Sequence, residues 1–121
     1  MSEESTFGRA TTTQAKVDLF VAARPIFAGL IAEIRELSKK KPDATMSAGK
    51  VRLVNRVLED LLIVFADEPA RKYLETLDDD ALPQMSDAVL TMVQFESACA
   101  AYEDRYCESI GIGEYHWYIE G

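Results

Sequence analysis

No run of 18 or more uncharged apolar residues occurs in this chain, which excludes a membrane-spanning helix. Proline and glycine are scarce, four and six in 121 residues, which suits long helices joined by short connections. Only two cysteines are present, Cys99 and Cys107, eight positions apart. On one straight helix that is about 12 Å along the axis, too far for a disulfide. No Cys/His metal spacing accompanies them, so the expected compartment is a reducing cytoplasm with no cofactor. There is one histidine, His116, and sequence supplies it no nucleophile or carboxylate partner. A glycine-rich phosphate loop is also missing, since Gly49-Lys50 is only two residues of such a motif. The opening MSEESTFGRATTTQ is polar and acidic without an apolar centre, unlike a signal peptide. Residues 1–11 read as a flexible acidic leader and 12–121 as a single domain.

What the chain does have is apolar periodicity. Phe20, Ala23, Phe27, Leu30, Ile34 and Leu37 recur in steps of three and four. So do Val51, Val54, Leu58, Leu61 and Phe65, and then Met85, Ala88, Met92, Phe95, Cys99, Tyr102 and Tyr106. Such steps return side chains to one face of a 3.6-residue helix. The predicted fold is all-α, an up-and-down bundle of three long helices plus one short helix. The first helix is capped by Thr12 or Thr13, runs to about Lys39 and tolerates Pro25 as a kink. Ser47 caps the second, which ends near Ala66. Asp67 caps a short helix through Leu77 with Pro69 in its first turn. The third runs from about Pro83 to Glu108 and stops at Gly111–Gly113. The last segment, Glu114 to Gly121, is aromatic, loosely alternating and packed on the bundle.

Charge is segregated. Residues 39–56 hold Lys39, Lys40, Lys41, Lys50, Arg52 and Arg56 against Asp43 alone, net +5, whereas residues 57–121 are net −12 within a total of −8. The basic set is a candidate anion site at the helix N-terminus after Ser47. The acidic remainder argues against nucleic acid as the partner.

Two further groups are candidates. Tyr115, His116, Trp117 and Tyr118 are of the residue types that anchor protein interfaces, and Leu53, Ile63 and Val64 spill beyond the second helix's apolar arc. Together they predict protein–protein contacts and self-association, as a dimer or with another protein. The ExxE pair Glu33 and Glu36, with ExxD at Glu75 and Asp78, resembles the paired carboxylates of all-helical MazG-type nucleotide pyrophosphohydrolases. That resemblance implies Mg²⁺ held between i, i+3 carboxylates and is the enzymatic alternative. With no nucleophile–base pair in the sequence, the expected function is that of a non-enzymatic interaction or regulatory protein.

Overall fold

The computed structural model describes residues 10–120. Among these residues three α-helices carry the fold: α1 (Gln14–Lys40), α2 (Ala48–Val64) and α3 (Met85–Tyr106). A 3-10 turn (Pro69–Tyr73) lies between α2 and α3. Strands β1 (Cys107–Gly111) and β2 (Glu114–Trp117) follow as an antiparallel hairpin. The all-α expectation is therefore corrected in two places. The expected fourth helix is only one 3-10 turn, and the end of the expected third helix is strand.

The helix ends follow their capping chemistry. The Thr13 hydroxyl accepts the Lys16 amide at 3.2 Å and that of Ser47 accepts the Lys50 amide at 3.1 Å, so both predicted caps form. Lys39 and Lys40 lie in the last turn of α1, at the negative end of its dipole. α1 runs uninterrupted through Pro25. Pro25 and Val21 both lie on an exposed face, where water can reach the carbonyl that proline leaves unpaired. Asp67 does not cap the 3-10 turn. Its cap residue is Glu68, whose side chain makes no capping bond, while Asp67 pairs with Lys16 at 3.0 Å.

The three seams meet in one core. Phe20, Phe27, Ile34, Val51, Leu58, Leu61, Met92, Phe95 and Tyr102 are almost completely shielded, joined by Met46, Leu74 and Leu77 from the connections. Leu30 and Leu37 of the first seam are only half-buried. Val64 corrects the expectation that it lies outside the second helix's arc, for it is fully buried. It follows Leu61 by three residues and continues the stripe from Val54 through Leu58.

The connections are pinned as well. Met46 donates its amide to the Pro83 carbonyl and Met85 to that of Ala44, both at 2.8 Å. The segment before α2 is thereby tied to the segment before α3, with Met46 plugged into the core. Asp78 Oδ1 accepts the amides of Asp80 and Ala81 at 2.8 and 2.9 Å. Those amides hold its carboxyl below the usual aspartate range. Asp78 to Asp80 thus build a turn ahead of α3.

One interhelical ion pair has a pH consequence. The Arg35 guanidinium grips Glu96 through two bonds of 2.8 and 3.3 Å, which holds the Glu96 carboxyl below its ordinary value. A carboxylate lowered in the folded state stabilises above its unfolded pKa and stops doing so as pH falls through the folded one. Glu96→Gln is therefore expected to be less stable than the parent at pH 7, with the gap closing below the ordinary glutamate pKa. Urea unfolding at pH 7 and pH 3 measures it. Both side chains are more than one-third exposed, so the gap is small.

Candidate functional site

A cleft of about 640 Å³ opens between α1, α3 and the hairpin. Strand periodicity sets one of its walls. Side chains alternate faces along a strand, so Cys107 and Ser109 share a face of β1 and Tyr115 and Trp117 share one of β2. The register pairs Cys107 with Trp117 and Ser109 with Tyr115, and all four line the cleft. The other face carries the Glu108–His116 pair. Between Ser109 and Gly111 the register shifts by one residue, and Gly113 turns the hairpin at φ +74°, a conformation that favours glycine.

The hairpin is seated by aromatic packing. The Trp117 ring lies 5.7 Å from that of Phe20, edge-on, and 5.9 Å from that of Tyr102. Beyond it, the Tyr118 amide donates to the Tyr106 carbonyl at 2.8 Å and the Thr12 amide donates to the Tyr118 carbonyl at 2.9 Å. Thr12 bridges Ile119 in parallel, and its hydroxyl meets the Tyr102 hydroxyl at 2.6 Å. Underneath, the Tyr106 hydroxyl donates to Glu68 at 2.8 Å. Burial and that neighbouring carboxylate push the phenol up to about 12.

The remaining walls come from the helices. α1 contributes Phe20, Val21 and Arg24, and α3 contributes Ala100, Glu103 and Asp104. Arg24 Nε lies 3.8 Å from Glu103 Oε1, a loose pair. Asp104 is exposed and makes no ion pair among the described residues. One cation thus faces two carboxylates. The two thiols are not activated. Burial pushes Cys99 up to about 12. Burial also raises Cys107, Glu103 adds to the rise, and the Glu108 N–H opposes it. Chemically the cleft can hold an apolar group between aromatic walls and match a cation with its acids.

The sequence-derived candidates divide on this geometry. Tyr115 and Trp117 are brought together in the cleft, His116 points to the opposite face against Tyr118 at 4.8 Å between rings, and Tyr118 serves the N-terminal bridge through its backbone. Leu53 and Ile63 are exposed on α2, whereas Val64 is in the core. Lys40, Lys41, Lys50, Arg52 and Arg56 are exposed, and Lys39 pairs with Glu36 at 3.0 Å. Among the described residues the only triad of acidic or metal-ligating groups close enough to share an ion is Asp78, Asp79 and Asp80. Glu33, Glu36, Glu75 and Asp78 are not gathered into such a set, so the geometry lends no support to the Mg²⁺-dependent alternative.

Arg24, Glu103 and Asp104 were not recognisable as a site from sequence. The signal that was present is the two-residue spacing of Tyr115 and Trp117, repeated by Cys107 and Ser109. Among the described residues no helix is long and apolar enough to cross a membrane. No protein-family model, no curated protein and no solved structure matches this chain.

Proposed function

We propose that this protein is a non-enzymatic interaction protein of the cytoplasm whose cleft holds a basic, apolar-anchored segment of a partner protein. The observation that carries the reading is the cleft itself: aromatic walls of Phe20, Tyr115 and Trp117 beside an acid, Asp104, that has no ion pair among the described residues. A space of about 640 Å³ accommodates a few side chains, in the range of ordinary binding pockets. Tyr and Trp are the residues on which interface energy concentrates. Glu103 and Asp104 outnumber Arg24 in the cleft lining and favour a cationic visitor. The two free thiols, one of them buried, support a reducing compartment.

Trp117 is the only tryptophan, so its fluorescence reports on this cleft alone. A short peptide with a phenylalanine between two arginines is expected to shift that emission saturably. The same peptide with glutamates is expected to leave it unchanged. Asp104→Lys should weaken the arginine peptide by about tenfold, with stronger loss at low salt. An equal response to both peptides, or none to either, overturns the reading.

A second reading is self-association as a dimer. It is favoured by a separate observation: Ile26, Leu53 and Ile63 are large apolar side chains left about half exposed, and none of them lines the cleft.

A further inference from the structure

We infer that the exposed stripe of α2 is a self-complementary surface. Two copies pair there about a two-fold axis, with Arg56 of each meeting Asp60 of the other and Leu53 of each meeting Ile63. This rests on the self-association reading above and specifies its geometry.

The stripe is made by positions 53, 56, 60 and 63. Steps of three, four and three keep these side chains within an arc of about 80° on a helix turning 100° per residue. Leu53 is 48% and Ile63 57% exposed, and Arg56 and Asp60 are exposed between them. Neither charge makes an ion pair or side-chain hydrogen bond among the described residues. Read from 53 the order is apolar, cation, anion, apolar. Read backward the shape is the same and the charges are exchanged. A two-fold axis that sets the helices antiparallel performs that reversal.

Both pairings share one centre, at the height of residue 58. A single register therefore brings Leu53 onto Ile63 and Arg56 onto Asp60 at both ends of the contact. A slip by one turn would oppose apolar side chains to charges.

The ground beside the stripe fits the same occupant. A shallow groove of about 310 Å³ runs between α1 and α2, with Ala22, Ile26, Leu53 and Val57 on its floor and Arg56 and Asp60 at its side. Ile26 is 55% exposed next to Leu53. In the two-fold arrangement Ile63 of the second copy lies against Leu53 and Ile26, so these exposed apolar side chains are covered. The hairpin does not compete for this face, because Trp117 is committed to Phe20 and Tyr102. A contact centred on one helix pair belongs to the small class of interfaces, so exchange between monomer and dimer is expected at micromolar concentration.

Charge reversal tests the register. Sedimentation equilibrium of the parent should give a concentration-dependent mass approaching twice the chain's 13.5 kDa. Arg56→Asp alone and Asp60→Arg alone should each raise the dimer dissociation constant by about tenfold or more, because each places like charges opposite one another. Mixed in equal amounts, the two variants should form a heterodimer at least as readily as the parent dimerises. One copy then presents two anions where the other presents two cations. Circular dichroism checks that each variant keeps its helicity. A parent that stays at 13.5 kDa at every concentration overturns self-association and this geometry together. A parent dimer indifferent to both reversals, or variants that fail to rescue one another, overturns the geometry and leaves self-association standing.

Discussion

Replacing Tyr102 with alanine should lower the unfolding free energy by about 3–5 kcal/mol, the range for truncating a buried aromatic. This ring is the point at which the helices and the hairpin meet. Its centroid lies 4.9 Å from those of Phe20 and Tyr106, 5.7 Å from Phe65 and 5.9 Å from Trp117. It is 1% exposed, so the cavity left behind has no solvent-facing side chain to fill it. Tyr102→Phe separates packing from hydrogen bonding. It keeps the ring and deprives the buried Thr12 hydroxyl of its 2.6 Å partner, at an expected cost of about 1–3 kcal/mol. Urea unfolding followed by circular dichroism gives both values. Trp117 emission should shift to the red in the alanine variant, because Tyr102 is one of the two rings that Trp117 rests on.

The second large effect is expected at Asn55. Its side-chain amide donates to the Leu77 carbonyl and its oxygen accepts the Leu77 amide, each at 2.9 Å. One half-buried side chain thus satisfies both backbone groups of a residue 22 positions away, where no strand or helix does so. Asn55→Leu removes both bonds at once and should cost about 2–4 kcal/mol. Asn55→Asp is the more instructive change. It keeps an acceptor for the Leu77 amide but turns a carboxylate oxygen toward the Leu77 carbonyl. It should be as destabilising as leucine at pH 7 and recover in acid, where the protonated carboxyl can donate again. Trypsin offers a local readout, since Arg71 and Lys72 sit at the start of the clamped segment. Cleavage there should accelerate in both variants at neutral pH, and insensitivity to either change would show that the clamp does not hold the loop.

The contrast between Tyr102 and Asn55 shows what can be read in the chain and what cannot. Tyr102 belongs to a seam of steps of three and four from Met85 to Tyr106, so its burial was legible in the residues around it. The Thr13 and Ser47 caps were equally local. Asn55 has no such signal, because its partner is a backbone group that any residue would offer at position 77. The hairpin failed for a related reason. Gly111 and Gly113 mark a stop, and a glycine that ends a helix looks in sequence like one that turns a hairpin. Cys107 to Ile110 is too short to declare its period. What settles it as strand is Trp117 packing on Phe20, a contact across most of the chain. Val64 was misplaced by one step along its helix, the ordinary error of drawing an arc without knowing where the neighbouring helix lies. The cleft needed all of this at once, since its walls come from α1, α3 and both strands. Only the alternation of Tyr115 and Trp117 hinted at it.

Thr12 and Ile119 lie side by side and run in the same direction, joined by the Thr12 amide to Tyr118 and the Glu120 amide to Thr12. Parallel segments pulled from opposite ends slide past one another. Tension on a chain held by its two ends would therefore act on both hydrogen bonds together, in shear, before it reached any helix. The weak point under force is then this short bridge with Tyr102 beneath it. Unfolding by stretching should begin with the ends parting and the hairpin peeling away, an order different from the cooperative loss of the core that urea produces.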